Sequence, residues 1–332
     1  MRYCTCLLFF CITACETAIE TDVPRNPPQL TVNSLFNPDS VWQVELTQNR
    51  YILDSEPFAS VPDAEVQVLQ NGQTVAILDY VQDAPFIGNS IYRAESSYPQ
   101  TGEDYTLEVN HPTLGSLFAN GQAPESQITI TRAVLDTLDQ RTEANISNNA
   151  VAYGLTIQFE DPPEENFYSL SVLLQYDGFF GTEELLLEER SSFSDIRSDD
   201  PIVAQVFDQY RDEIIFTDAS FNGQSYTLKL YLLESSILSS GLSFPPFILT
   251  EPAYDTQGNI VRDIGELAGL TTLRILLRTT TEEYYQYNYT RDLQASVENN
   301  PFAQPVQVFD NVEGGLGIFT GFSQMEKKVI IQ

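Results

Sequence analysis

The stretch Glu65-Val66-Gln67-Val68-Leu69-Gln70-Asn71-Gly72-Gln73-Thr74-Val75-Ala76-Ile77-Leu78 decides the fold class. Apolar and polar residues alternate on both sides of Asn71-Gly72, with Val66 and Val68 before the pair and Val75 and Ile77 after it. Period-two alternation is the pattern of a half-buried strand. Both central residues tolerate positive φ, as a two-residue hairpin turn requires. Working outward, similar short runs recur at Leu30–Leu35 and Trp42–Thr47 upstream, and at Ile91–Ala94, Tyr105–Val109 and Leu117–Ala119 downstream. Thr101-Gly102 reads as the entry turn to a strand that turns Tyr105 and its aliphatics inward. Seven short strands between Gln29 and Pro124, separated by turn residues, predict a β-sandwich.

This first region, 29–124, resembles the immunoglobulin-like or transthyretin-like accessory modules of exported bacterial proteins. The pattern pauses at Ala123-Pro124-Glu125-Ser126 and restarts with Ile128, Ile130 and Val134, which places a domain boundary there. The second region, 125–332, also reads as strand-rich. Leu155, Ile157 and Phe159 alternate, Tyr168–Tyr176 and Tyr226–Leu232 follow, and Leu273–Leu277 is continuously apolar enough for a buried strand. Two helices are predicted. One opens at Pro201 after Asp199-Asp200 and runs to Arg211, with Ile202, Val203, Val206, Phe207 and Tyr210 on one stripe. The other opens at a capping box, Thr280 to Glu283, and stops before Asn299-Asn300-Pro301, with Tyr285, Tyr289 and Leu293 as its core face. The expected fold is therefore mainly β: an N-terminal sandwich, then a larger β-rich domain with two or so helices.

A chain of 332 residues with 42% apolar content is long enough for two cores. Its 17 Tyr and 20 Phe against a single Trp favour strands. The formal net charge of −31 repels phosphate backbones and anionic headgroups, so nucleic acid is not an expected partner.

The amino terminus has the layout of a secretion signal: Arg2, an apolar run through Leu7-Leu8-Phe9-Phe10, then Ile12-Thr13-Ala14-Cys15. The run is about half of what a permanent membrane helix needs. Ile12, Thr13, Ala14 and Cys15 resemble the lipobox of bacterial lipoproteins, in which the cysteine becomes the lipidated first residue. All four cysteines fall at 4, 6, 11 and 15, so no disulfide framework explains Cys15. The expectation is a signal peptide over 1–14, lipid attachment at Cys15, and a proline-containing tether over 15–28. Membrane attachment then comes from the lipid, each buried methylene contributing about 0.8 kcal/mol.

No catalytic residue and no cofactor is indicated. The one histidine, His111, sits in Val109-Asn110-His111-Pro112 and reads as a strand exit. Outside the first 15 residues there is no further His or Cys to complete a typical zinc or iron site, so no metal is expected. No Gly-x-Ser-x-Gly elbow occurs, and Ser225 in Gly223-Gln224-Ser225 falls at a strand start. Gly314-Gly315-Leu316-Gly317-Ile318-Phe319-Thr320-Gly321 departs from the dinucleotide fingerprint in spacing and lacks the following helix, so its glycines read as tight turns or close backbone packing. Asp195, Asp199 and Asp200 lack the spacing of a calcium loop and read as solvated. A pair of carboxylates for glycoside hydrolysis has no positional signature in sequence.

Four stretches carry a more specific resemblance. They are Asp161-Pro162-Pro163-Glu164-Glu165-Asn166-Phe167-Tyr168, Phe221-Asn222-Gly223-Gln224-Ser225-Tyr226, Glu282-Glu283-Tyr284-Tyr285, and the closing run from Pro301 through Val308-Phe309-Asp310-Asn311-Val312-Glu313-Gly314-Gly315 to Phe319. In this order they resemble the Bacteroidota lipoprotein family catalogued as domain of unknown function 4249. That resemblance implies an outer-membrane lipoprotein, often paired with a TonB-dependent receptor, and implies no catalytic residues. Glu16, Glu20 and Asp22 are loosely similar to acidic export signals that send such lipoproteins to the outer leaflet, facing the exterior. Asp39-Ser40-Val41 and Asp136-Thr137-Leu138 fit a short O-glycosylation pattern. The leading expectation is a non-enzymatic surface lipoprotein, accessory to a TonB-dependent receptor in capturing or gating a nutrient of unknown identity. The alternatives are a stand-alone glycan- or peptide-binding adhesion lipoprotein and, behind it, an acid-pair glycosidase.

Overall fold

The computed structural model describes residues 27–50, 60–81, 90–125, 128–138, 152–180, 183–190, 196–204, 213–233, 253–254, 260–262, 270–297, 303–304 and 306–330. In the first region the strands are β1 (Leu30–Phe36), β2 (Gln43–Gln48), β3 (Glu65–Gln70), β4 (Gln73–Tyr80), β5 (Ser90–Arg93), β6 (Asp104–His111) and β7 (Gly115–Gln122). Then come β8 (Thr129–Leu138), β9 (Ala152–Glu160), β10 (Phe167–Phe180), β11 (Glu183–Arg190), β12 (Ile196–Arg197), helix α1 (Pro201–Ala204), β13 (Ile214–Thr217) and β14 (Ser225–Leu233). The chain continues through β15 (Ala253–Tyr254), β16 (Ile260–Arg262), β17 (Leu270–Thr280), helix α2 (Glu282–Val297), β18 (Val312–Glu313) and β19 (Leu316–Ile330). The protein is mainly β, as the alternation predicts.

Thirteen strands form one curled sheet in the order β11-β10-β17-β19-β1-β2-β5-β4-β3-β6-β7-β18, with β13 also on β10. Four more form a second sheet, β12-β14-β9-β8, and β15 pairs β16. Asn71 (φ 52) and Gly72 (φ 74) make the positive-φ turn of the β3–β4 hairpin. Just past it the register shifts between Val68 and Leu69, so Val66 faces Leu78 and Val68 faces Ala76. One extra residue flips the following side chains to the other face. Ala76 and Leu78 are therefore buried, while Val75 and Ile77 are 37% and 69% exposed.

The first core gathers the inward residues of β1 to β7, including Leu30, Val32, Leu46, Val68, Leu107 and Leu117. Gly102 (φ +76) turns the chain into β6, whose Tyr105, Leu107 and Val109 are buried. At the centre Trp42 lies between Phe36 (ring centroids 4.7 Å) and Tyr105 (4.7 Å). Phe319, from the far end of the sequence, completes this cluster 4.8 Å from Phe36. It arrives on β19, which runs parallel to β1 with Val32 opposite Gly317 and Phe36 opposite Gly321. Val312 and Phe319 thus belong to the core of the first region although they lie nearly two hundred residues past Pro124. The 15-residue β19 then leaves β1 and pairs antiparallel with β17 from Phe322 to Ile330.

The second core packs the four-stranded sheet (Leu155, Ile157, Phe159, Leu228, Leu230) against β10 and β17 (Leu170, Val172, Leu273, Ile275, Leu277). Met325 and Val329 of β19 line it as well. Ile202 of α1 is buried there, and Asp200 caps that helix by accepting from Ile202 N at 3.1 Å. The predicted continuation to Arg211, with Val206, Phe207 and Tyr210, lies outside the described residues.

Helix α2 covers the opposite face. Its start differs by one residue from the predicted box. Thr280 is still the last residue of β17, paired with Phe322, and Thr281 is the cap, its Oγ1 accepting from Tyr284 N at 3.2 Å. The buried stripe shifts likewise: Tyr284, Asn288 and Asp292 are buried, whereas Tyr285 and Tyr289 are half-buried and stack on each other at 5.9 Å. The sheet surface beneath presents Arg278 and Thr320 as well as Phe322, so polar residues face inward here.

Candidate functional site

The stretch Asp161–Tyr168 forms the turn from β9 to β10. Pro162 and Pro163 carry no backbone N–H and so end the β9 ladder after Glu160. Asp161, only 8% exposed, accepts from the Tyr168 hydroxyl at 2.5 Å and from Gly223 N at 2.6 Å. Asn166 donates its backbone N–H to Asp218 Oδ2 at 2.9 Å and its Nδ2 to the Glu164 carbonyl at 2.6 Å. Asn222 Nδ2 also donates to Glu164 O, at 3.1 Å. Gly223 holds φ +71 against Pro163, whose Cα is 3.4 Å from where a Cβ would stand. Two of the stretches singled out in the sequence, 161–168 and 221–226, are therefore one hydrogen-bonded unit.

Burial pushes the Asp161 carboxyl above the ordinary aspartate value, against the lowering effect of its two hydrogen bonds. Burial, and then the hydrogen bond to Asp161, push the Tyr168 phenol far above its ordinary value. Tyr168 is accordingly a fixed, neutral donor, and Asp161 is occupied by the fold.

This turn is one wall of an open cleft of about 860 Å³; the other wall is the linker Gln122–Glu125 with Thr129. Glu125, Glu160 and Glu164 place carboxylates on its lining. A smaller slot of about 330 Å³ shares Thr129 and is lined by Asp39, Ser323, Gln324, Met325 and Glu326 among others. No Lys, Arg or His lines either space. The linker is pinned to β19 by Ser323 Oγ, which donates to Pro124 O at 2.5 Å, and by Ile130 N on Met325 Sδ at 3.0 Å. Among the described residues, Glu326 is the lining carboxylate with a cation beside it: the hydrogen bond from Arg274, at 2.8 Å, holds it below the ordinary glutamate value. Among the described residues the junction is thus lined by carboxylates and by no base, a chemistry suited to cationic groups. Among the described residues no group of three or more His, Cys, Asp or Glu is placed to hold a metal ion.

A second polar cluster lies beneath α2. Glu213 accepts from Ser169 Oγ (2.5 Å), from the Tyr284 hydroxyl (2.9 Å) and from Arg278 Nη1 (3.2 Å). Arg278 also donates to Gln324 Oε1 at 2.9 Å and covers the Phe322 ring at 4.6 Å. Burial raises the Tyr284 phenol, so it too is a neutral donor. Nothing in the sequence singles out Glu213, because its three partners lie on two separate strands and a helix.

Ile12, Thr13, Ala14 and Cys15 lie outside the described residues, as does Asp195. His111 ends β6, and its Nδ1 accepts from Thr113 N (3.2 Å) and Leu114 N (3.1 Å), closing the β6–β7 turn. Asp200 accepts from the Tyr226 hydroxyl at 2.7 Å. Ser40 is exposed in the turn after β1, and Asp136 is exposed on β8. The closing glycines are packing positions: a Cβ on Gly315 would stand 2.7 Å from Leu30 O, and one on Gly317 closer still to Val32 O. Asn311 clamps the same segment, donating to Asn120 O (3.0 Å) and Phe319 O (2.8 Å) and accepting from Phe319 N (3.0 Å).

A family model described as "Domain of unknown function (DUF4249)" matches residues 16–328. No curated protein matches the chain. Among solved structures, a biofilm-associated protein B domain aligns over 90% of this chain and 85% of its own, at 7% identity and a TM-score of 0.18. The BSP domain of a biofilm-associated protein aligns over 90% of this chain and 58% of its own, at 8% identity and a TM-score of 0.17.

Proposed function

This chain belongs to the DUF4249 family, and on that premise we propose that it is a non-enzymatic lipoprotein of the outer membrane, anchored through Cys15. It serves as the accessory partner of a TonB-dependent receptor in nutrient capture or gating, with its folded part outside the cell. The observation that carries the anchoring is the tetrad Ile12-Thr13-Ala14-Cys15 at the end of a short apolar run, in a chain with no cysteine after position 15. The acidic junction supports a binding role over catalysis, because Asp161, its most buried carboxylate, is occupied by Tyr168 and Gly223.

The test is recovery of the full-length protein from detergent-solubilised outer membranes. The wild type should incorporate labelled fatty acid and bring down a receptor, and Cys15→Ser should lose label and receptor together. A wild-type protein that takes no label, or comes down without any receptor, overturns the proposal. A stand-alone glycan- or peptide-binding module is the second reading, favoured by the exposed aromatics Tyr98 (54%) and Phe118 (42%). It requires the soluble protein to bind its ligand with the receptor deleted.

A further inference from the structure

A buried hydroxyl at the junction has no partner among the described residues. Thr279 is only 2% exposed, and its Oγ1 makes no hydrogen bond. Its neighbours across the sheet are Tyr168 on β10 and Ser323 on β19. Both have given their protons elsewhere, the Tyr168 hydroxyl to Asp161 and Ser323 Oγ to the Pro124 carbonyl. Side chains alternate along a strand, so Thr279 follows Leu273, Ile275 and Leu277 on the face of β17 turned to the second core. There it lines the 330 Å³ slot, between β19 and the segment Ile128-Thr129. Ser171 and Thr280 also hold buried hydroxyls without a partner, but Thr279 alone of the three lines either space of the junction. A polar group left unpaired inside a fold costs stability, and beside a cavity it is a group for a bound molecule to satisfy.

The slot lies at the small end of the range for small-molecule pockets, about 300–1,000 Å³. Pro38, Ile128 and Met325 give it apolar walls, and Thr101 and Thr129 add hydroxyls. On its exposed side Asp39 carries no ion pair among the described residues, whereas Glu326 is already held by Arg274. No base lines the slot to meet an anion. We propose that the slot binds a small organic cation that also carries hydroxyl groups, no larger than a monosaccharide, with an amino sugar as the type. Its ammonium donates to the Asp39 carboxylate in a charge-assisted hydrogen bond. One of its hydroxyls pairs with Thr279 Oγ1, which can donate or accept, and its carbon frame lies on Ile128 and Met325. A neutral group at Thr279 satisfies the buried hydroxyl without burying a charge, so the ammonium stays on the solvent side. That such a compound is the nutrient passed to a receptor rests on the reading above; its binding in the slot does not.

The experiment is titration calorimetry on the full chain in detergent, with glucosamine, glucose and cyclohexylamine at about pH 6, where both amines are charged. Glucosamine should bind about tenfold or more tighter than glucose, which lacks the ammonium, and than cyclohexylamine, which lacks the hydroxyls. Asp39→Asn should weaken glucosamine about tenfold and leave glucose unchanged. Thr279→Val should weaken glucosamine by a similar factor while the thermal midpoint stays level or rises, since the lost hydroxyl has no partner in the fold. Thr279→Ser should keep the affinity. Absent binding of glucosamine at millimolar concentration overturns the proposal. Equal binding of glucose overturns the ammonium, and equal binding of cyclohexylamine overturns the role of Thr279. Full affinity in both Asp39→Asn and Thr279→Val places the ligand elsewhere and overturns the site; should Thr279→Val fail to fold, Asp39→Asn on the exposed side decides. A failed receptor pull-down leaves the calorimetry standing, and failed calorimetry leaves the pull-down standing, so the two ideas fail separately.

Discussion

Replacing Gly317 with alanine tests the junction between the two ends of the chain. Gly317 has φ +115, and its added Cβ would overlap Val32 O and stand 2.9 Å from Val32 C and 3.0 Å from Val32 N. All three atoms are backbone, so β1 or β19 must move. Two other glycines separate the contributions. Gly115 has φ +85 but nothing within 4 Å of its Cβ, so Gly115→Ala measures conformational strain alone, about 1–2 kcal/mol. Gly321 has an ordinary φ but would meet Phe36 Cε2 at 2.6 Å and Ala123 Cα at 2.8 Å, so Gly321→Ala measures crowding alone, about 1–3 kcal/mol. Gly317→Ala combines both and pulls on Phe319, whose ring lies 4.8 Å from Phe36 and 6.1 Å from Trp42. The expected loss is about 3–5 kcal/mol, the range for losing a buried Phe. Trp42 is the only tryptophan and is fully buried in that core, so its fluorescence during urea unfolding reports the first region specifically. At an m-value of about 2–3 kcal/mol/M the midpoint should fall by about 1–2 M, against roughly 0.5 M for Gly115→Ala. If Gly317→Ala costs no more than Gly115→Ala, the parallel register of β1 and β19 is wrong.

Two further substitutions probe the polar clusters. Tyr168→Phe removes the hydroxyl donor to Asp161 and should cost about 1.5–3 kcal/mol near pH 7. The Asp161 carboxyl is raised in the folded state, so its protonated form is favoured there, and folded-state stability is fully present at acid pH and declines as pH rises through the folded value. Losing the hydroxyl raises that carboxyl further, so the cost read from urea midpoints should be smaller near pH 4 than near pH 7; a cost independent of pH refutes the assignment. Arg278→Met leaves Glu213 with only hydroxyl partners in a site where the two side chains are 10% and 13% exposed, and should lower stability by about 3–5 kcal/mol. Adding Glu213→Leu should restore part of that loss in thermal unfolding, and a double variant no better than the single one argues against the pair.

Much of the first region could be read directly from sequence, because each strand there is covered on one face. Alternation in Glu65–Leu69 and Tyr105–Val109 translates into burial, and Asn71-Gly72 into a turn. The β-bulge that exposes Val75 and Ile77 could not be read, since a bulge changes the register without changing the composition. The longest strand, β19, was hidden for a related reason. Ile318 to Ser323 are buried on both faces, α2 on one side and the cores on the other, so period two disappears. Its glycines read as tight turns or close backbone packing, and Gly321 serves the packing within the strand. The acidic junction was spread over Asp39, Glu125, Glu160 and Glu326, positions with no common motif.

By itself the sequence determined the β class, most strand positions, the existence of α2, the surplus of acid and the family. These follow from local periodicity, turn chemistry and composition, which act over a few residues or over the whole chain. The tertiary structure alone decided that the last strand lies beside the first, that Phe319 fills the core around Trp42, and that β19 runs past the end of β1. Such choices depend on which backbones approach closely enough to exclude a Cβ, and at Gly317 that approach is made by Val32, 285 residues earlier in the chain.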